Sequence, residues 1–325
     1  MAISLPKKPQ VRSKRAIFDA LSKLPFPLRQ GVLGLGYAAV ARRWAGFLPH
    51  AAILVRDLLK AWQPLLHDPA GALGVPDGLC GLAGRLDVPT LLGGYARGMF
   101  VHSHIGPLKW WAPRHRMVLF FDQLKMEKRV RRLIKDSAYR VTFETAFAEV
   151  MRASAEPRPG HTPLTWISPK MQRLFLAAHE AGHAHSAEVW HDDRLIAGVY
   201  GLAVGRVFFT ESQFYRVDNT SKAAVAVLHR HLQSWGFAFN DSKHVTRYIS
   251  DAGMVPIGRG EFNALVEIHA RAPGKIGRWH TEPHLLDSEW RPADTPGTRM
   301  QDLLPNASSC KFTAADLLGP HRSNT

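Results

Sequence analysis

Three side chains have the types and settings that could do chemistry. Glu211 stands in the run Val207-Phe208-Phe209-Thr210-Glu211-Ser212-Gln213-Phe214. A carboxylate among aromatics must be ion-paired, hydrogen-bonded or shifted in pKa. It is either a functional group or a satisfied acid in an ordinary core hairpin, because structural ion pairs perturb acids too. Asp241 follows a short apolar run at 237–240, the strand end where α/β-type sheets place functional side chains. Asp241 or Ser242 can equally cap a following helix. Lys243 can pair with Asp241, stabilise a tetrahedral oxyanion or approach a phosphate. Together these groups suit proton transfer and the stabilisation of developing negative charge.

A second pattern, His179-Glu180-Ala181-Gly182-His183, matches the zinc-protease form H-E-x-x-H. That chemistry needs both histidines on one helical face and a third ligand. Gly182 is a poor helix residue and 184–186 already reads as strand, so no metal is expected. No Gly-rich phosphate loop precedes the helix expected from Lys222, so no coenzyme A or other cofactor is expected either.

The elements that must position these groups can be read from periodicity. Ser168 and Pro169 open a helix at its N-cap and first position, and Gly182 closes it. Residues 185–190 alternate as a half-buried strand, His191-Asp192-Asp193-Arg194 turns, and 195–204 is apolar throughout, as in a strand covered on both faces. Gly198 and Gly201 inside that strand imply a bulge or a close approach. Gly205-Arg206 turns again into 207–214. Asn219, Thr220 or Ser221 then caps a helix over 222–235. A strand at 237–240, a helix at 244–252 and a final strand at 261–270 follow. Upstream, 51–62 and 89–97 read as helices, and 141–151 as a strand-to-helix unit.

Composition bounds the class. The 325 residues are 46% hydrophobic and 21% charged, as in a soluble globular protein. The net charge of +15 points to a polyanion, nucleic acid or an acidic membrane surface. Two cysteines, Cys80 and Cys310, make no metal or redox spacing, so a cytoplasmic location is expected. The apolar runs at 31–41 and 44–55 are each too short to span a membrane. The sharpest charge feature holds Lys125, Lys128, Arg129, Arg131, Arg132, Lys135 and Arg140 against Glu127 and Asp136, with Val130, Leu133 and Ile134 as an apolar face. Such a one-sided helix is either a solvated face or a phosphate-binding surface.

Ordered motifs along the chain resemble the leucyl/phenylalanyl-tRNA–protein transferases. They are Pro76-Asp77-Gly78-Leu79, Gly84-Arg85-Leu86-Asp87, Tyr95-Ala96-Arg97-Gly98-Met99-Phe100, Trp110-Trp111-Ala112-Pro113, Tyr139-Arg140-Val141, Thr165-Trp166-Ile167, and the stretch from Gly182 through Phe214 to Lys222. The likeness runs unbroken over about 75–270. It implies an α/β (α+β) chain with an acetyltransferase-like (GNAT) fold, matching the read order of meander, helix, strand, helix, strand. The domains expected are a basic helical extension at 1–74, a small N-terminal domain at 75–122, a GNAT-like catalytic domain at 123–270 and an irregular tail at 271–325.

The resemblance also implies an activity: an amino acid, Leu or Phe, passes from aminoacyl-tRNA to the α-amine of an acceptor protein with an N-terminal Arg or Lys, marking it for degradation. Asp241 would meet the α-amine, Glu211 the acceptor's positive charge, and Lys243 would complete the catalytic group. Trp110, Trp111, Trp166, Phe208, Ser212 and Phe214 would build the aminoacyl-adenosine site. Lys125, Lys128, Arg129, Arg131, Arg132 and Lys135 would hold the tRNA. The family reads Asp-Cys-Gln where this chain has Asp241-Ser242-Lys243, and its later Asn and His are replaced by Thr246 and Tyr248. A protonated lysine cannot accept a hydrogen bond as the glutamine carbonyl does. The departure keeps two alternatives open: a lipid or small-amine acceptor reached through anionic-membrane contact by the N-terminal arm, and a tRNA-binding relative without catalysis. A monomer is expected.

Overall fold

The computed structural model describes residues 20–38, 47–103, 106–157, 165–246, 252–287, 290–291, 297–304 and 316–317. After helical residues 20–22 come two helices, α1 (Phe26–Ala38) and α2 (Phe47–Leu58). A three-stranded sheet follows, built from β1 (Leu79–Leu82), β2 (Phe100–His102) and β3 (Lys109–Trp111) in the order β1-β3-β2, with α3 (Val88–Tyr95) between its first two strands. Asp87 caps α3 by accepting from the Thr90 amide at 2.9 Å, and Pro89 sits in the first turn.

The main sheet has seven strands in the order β10-β4-β9-β8-β7-β6-β5. These are β4 (His115–Phe120), β5 (Tyr139–Phe143), β6 (Ala184–His191), β7 (Arg194–Val204), β8 (Val207–Tyr215), β9 (Phe239–Asp241) and β10 (Val255–Gly258). Six helices belong with it or follow it: α4 (Lys128–Lys135), α5 (Phe147–Ala155), α6 (Pro169–Glu180), α7 (Thr220–Ser234), α8 (Arg259–His269) and the short α9 (Met300–Leu303). The β6–β7–β8 meander is as the alternation predicts. Asp192 and Asp193, both at positive φ, make its first turn, the backbone a two-residue hairpin of the right twist requires. Ser168 accepts from the Met171 amide at the start of α6, and Gly182, at φ 78°, ends it.

One pair in the sheet is parallel. β8 and β9 run side by side from Val207↔Phe239 to Phe209↔Asp241, joined by the crossover helix α7. Their ladder stops there, and the chains beyond it, Thr210 to Gln213 and Ser242 onward, diverge. This meander–helix–parallel-strand order is the one expected of an acetyltransferase-like fold, and the chain is α+β as read. β4, with Met117 to Phe120 fully buried, joins the main sheet by pairing with both β9 and β10.

Residues 261–270 are not the expected strand. They form most of α8, because Phe262, Leu265 and Val266, at helical spacings of three and one, are the buried face, while Glu267 and Ile268 point outward. The expected helix at 244–252 falls largely on 247–251, outside the described residues. The described residues after 270 include a 3-10 turn (Pro283–Leu286) and α9, and part of this stretch packs on the main domain. Trp279 is fully buried and stacks on His185 at 3.5 Å between ring centroids, and Arg230 donates to the carbonyls of Leu285 and Asp287.

Candidate functional site

Where β8 and β9 part, a cavity of about 370 Å³ opens, the place where parallel strands of a sheet leave a crevice. Its walls come from β8 (Thr210, Glu211, Ser212), the β9 end and following loop (Asn240, Ser242, His244, Thr246), α7 (Lys222, Val225, Ala226) and the segment entering α4 (Leu124, Lys125, Met126). The α7 and α4 side is mainly apolar, with Lys125, Glu127 and Lys222 among its residues, and the β8 and β9 side carries hydrogen-bonding groups, the mixture that lets a pocket enclose an apolar side chain while orienting a polar one.

Glu211 reaches this position through a β-bulge. Tyr200 pairs with Ser212 and Gly201 with Thr210, so Glu211 is the extra residue on β8. Gly201 lies opposite; a Cβ there would come within 2.3 Å of the Phe209 carbonyl. The glycine that the sequence marks as a bulge or close approach is both. The Glu211 side chain is wholly buried and accepts from the Tyr95 hydroxyl at 2.8 Å and from Lys243 Nζ at 2.7 Å. Burial pushes its carboxyl pKa upward, with Lys243 and Tyr95 pulling the other way. Its Oε2 is buried without a hydrogen-bond partner among the described residues.

Of the roles open to Lys243, an ion pair with Asp241 is not the one formed: its ammonium pairs with Glu211. The carboxylate of Asp241 is gripped by Arg116 of β4: Nε donates to Oδ1 at 3.1 Å, and Nη2 pairs with Oδ2. Its Oδ1 also accepts the Lys243 amide at 3.0 Å. That backbone bond holds Lys243 at φ 65°, a left-handed conformation that turns its side chain toward β8 and Glu211. Arg116 is itself fixed, with Nη1 on the Gly98 carbonyl at 2.5 Å and its guanidinium 4.1 Å from the Phe262 ring centroid. Asp241 has no exposed surface and stands behind the cavity wall, not on it. Through the Lys243 amide, Asp241 braces the loop that carries Lys243 and His244.

A second buried relay sets the polar side of the wall. Thr210 Oγ1 donates to Asn240 Oδ1 at 2.9 Å, and Asn240 Nδ2 donates to His229 Nε2 at 3.1 Å. His229 thus accepts through Nε2, and burial pushes its pKa down to about 3.

The expected aromatic residues divide. Trp111 and Trp166 converge on His102: Trp111 Nε1 donates to its carbonyl at 2.7 Å, and the Trp166 ring lies 5.5 Å from its imidazole. His102 in turn lies 6.2 Å from His244, which lines the cavity, and Phe100 lies 5.3 Å from His244. Ser212 lines the cavity directly. Trp110 points the other way from β3, fully buried with Nε1 on the Leu65 carbonyl and its ring over Gly94, where a Cβ would meet it at 2.2 Å. Phe208 is fully buried against Trp279, and Phe214 is in the core beneath Arg216. None of these three lines the cavity.

The basic segment is helical only over α4. Lys128, Arg129, Arg132 and Lys135 are exposed on it, and Lys125 is exposed at the cavity rim. Arg131 is half-buried and donates to the Trp290 carbonyl at 3.1 Å, so part of its binding capacity serves the tail. In the zinc-like motif, His179 shares a hydrogen bond with the Ala184 carbonyl at 2.8 Å and stacks on Phe147. No group of three or more His, Cys, Asp or Glu residues among the described ones is placed to hold a metal.

Sequence reasoning missed Arg116, Tyr95, Asn240 and His244 as site residues. Tyr95 lay within a recognised motif and His244 directly follows Lys243; Arg116 gave no local signal, since its partner is 125 positions away.

Residues 118–267 match the family model described as leucyl/phenylalanyl-tRNA protein transferase. Proteins named leucyl/phenylalanyl-tRNA–protein transferase are similar to this chain. That of Cellvibrio japonicus is 40% identical over 211 residues, 64% of this chain and 89% of the relative. That of Aromatoleum aromaticum is 42% identical over 214 residues, 65% and 89%. That of Pseudomonas fluorescens SBW25 is 38% identical over 227 residues, 70% and 97%. Among solved structures, the crystal structure of FemX aligns at a TM-score of 0.35 and 12% identity over 45% of this chain and 60% of that one, too loose a likeness to argue from.

Proposed function

The chain belongs to the leucyl/phenylalanyl-tRNA–protein transferase family, and from that premise we propose that the cavity between β8 and β9 is where it transfers an amino acid from aminoacyl-tRNA to an acceptor protein's N-terminus. The acceptor's α-amine attacks the ester carbonyl carbon, a peptide bond forms, and the ester bond to the tRNA breaks. The amine loses a proton and the departing tRNA hydroxyl gains one. The ester is already activated, so the enzyme's contribution is to orient the two reactants and to place proton acceptors and donors.

The observation that carries this reading is the two-sided cavity itself. Leu124, Met126, Val130, Val225, Ala226 and Met254 supply an apolar wall suited to a Leu or Phe side chain. Glu211, Asn240 and His244 face it from the polar side. The His244 imidazole is a group that can take the amine's proton. Asp241, buried and held by Arg116, acts as a positioning residue. Trp111 and Trp166, grouped about His102, offer ring faces for the terminal adenine. Lys125, Lys128, Arg129, Arg132 and Lys135 run from the cavity rim along α4 and suit the tRNA phosphates. Aminoacyl-tRNA as substrate supports a cytoplasmic site of action.

The N-terminal segment is read as a further contact surface. Residues 1–62 carry eleven Lys and Arg against two Asp, +9 of the total +15. On and after α2, Val55, Leu59 and Trp62 are exposed along one stripe, with Arg56 and Lys60 beside them. This combination suits an anionic lipid surface. No helix among the described residues is long and apolar enough to cross a membrane. Flotation with anionic vesicles should retain the full chain and lose one lacking 1–62; equal flotation of both would refute the contact.

Transfer of labelled Leu or Phe from the charged tRNA to an Arg-starting peptide tests the activity. Incorporation is expected; its absence with every aminoacyl-tRNA would refute it.

A further inference from the structure

Lys243 Nζ sits in a fully furnished cation site. It donates to Glu211 Oε1 at 2.7 Å and to the Thr210 carbonyl at 2.5 Å, and lies 5.8 Å from the ring centroids of both Tyr95 and Phe100. A carboxylate, a carbonyl and two aromatic faces are what a cationic ligand seeks. Here the occupant is the chain's own ammonium, only 8% exposed. The other carboxylate lining the cavity, Glu127, is also taken, by Lys222 Nζ at 2.6 Å. A guanidinium or ammonium entering the cavity thus meets no carboxylate that lacks a lysine.

We propose that Lys243 is a specificity-determining residue of the acceptor site: its ammonium occupies the position at Glu211 that a cationic acceptor side chain would take. The inference rests on the transferase reading above. A cation can reach Glu211 in two ways. It can approach the remaining oxygen, Oε2, which puts one buried carboxylate between two cations and leaves a positive charge uncompensated. Otherwise it displaces Lys243, which breaks a formed pair to make an equivalent one. Either way a positive charge on the acceptor's first residue contributes little to binding, and such acceptors are held by their other contacts. The lysine at 243, two residues after the aspartate that fixes its backbone, thereby broadens the site toward neutral N-terminal residues.

Two peptides identical except for Arg or citrulline at the first position separate charge from shape. The wild-type protein should show kcat/KM values for the two within about twofold, the charge contributing little. Lys243→Gln empties the cation position and should favour the Arg peptide about tenfold or more, the scale of a hydrogen bond to a charged group, chiefly through KM. The double variant Glu211→Gln with Lys243→Gln should return the ratio to near one. Glu211→Gln alone leaves the lysine unneutralised and should shift the ratio toward citrulline, a second readout should Lys243→Gln fold poorly. A wild-type preference for Arg of tenfold, or a Lys243→Gln ratio equal to the wild type's, would overturn the proposal. If the wild type modifies neither peptide, the transferase reading fails instead, and calorimetric binding of the two peptides to the same variants decides the role of Lys243.

Discussion

Replacing Arg116 with Met should be among the most damaging single changes in the protein. The Arg116 side chain is 1% exposed and the Asp241 side chain 0%, so the variant leaves a carboxylate with neither water nor counter-charge. Met keeps apolar contact with Phe262 and Phe100, which restricts the loss to the ion pair and the bond to the Gly98 carbonyl. Breaking one side of a buried pair costs about 3–5 kcal/mol. Adding Asp241→Asn removes the stranded charge while keeping an oxygen for the Lys243 amide. The double variant should then recover most of that loss, remaining about 1–2 kcal/mol below wild type for the hydrogen bonds not remade. Urea unfolding followed by far-ultraviolet circular dichroism measures both, and the slope of stability against urea should match the wild type if the native fold is kept. A loss under about 1 kcal/mol for Arg116→Met, or a double variant no better than the single, would refute the account of Asp241 as a buried, arginine-held positioning residue.

Reversing Lys128, Arg129 and Arg132 to Glu should weaken tRNA binding and flatten its salt dependence, lowering the log–log slope by up to about 3 as fewer counterions are released; an unchanged slope would place the tRNA elsewhere. His229 and His231 contribute stability that is lost as pH drops below 6.5, because burial holds their pKa values down to about 3 and about 4, so the unfolded chain binds protons there that the native one refuses. His229→Gln should reduce this acid sensitivity by about 1 kcal/mol per pH unit between 6.5 and 4, measured by urea titration at each pH; an identical pH profile would contradict the assignment of His229 as a buried neutral acceptor.

The parts of the fold that local chemistry dictates were legible before the structure. Ser168-Pro169 and Gly182 bound α6, the alternation over 185–190 and the paired aspartates fix the first hairpin, and Gly201 of β7 marks the bulge. Residues 259–269 misled because Phe262, Leu265 and Val266 also suit a short apolar strand, and only packing against the sheet decides. The site was half legible. Glu211 was marked by a carboxylate's cost among aromatics, yet its partner was not, because Lys243 is turned to it by a left-handed backbone that no residue type announces. Arg116 was hidden for the same kind of reason: an arginine in an apolar strand is explained only by an acid 125 positions away. Trp279 and Trp290 lie in a stretch whose composition reads as an unpacked tail, and composition does not say where an aromatic finds its partners.

The central claim is that transfer occurs in the cavity where β8 and β9 part. Val225 lines its apolar wall from α7 and is half-buried, so Val225→Trp fills the space without entering the core. The measurement is single-turnover transfer from leucyl-tRNA or phenylalanyl-tRNA to an N-terminal peptide, made alongside tRNA binding and thermal melting of the same variant. The account predicts transfer lowered at least about a hundredfold, the cost of losing the bound geometry of the reacting groups, with tRNA affinity and melting temperature close to wild type. Wild-type transfer by a folded Val225→Trp protein would contradict it and move the reaction out of this cavity.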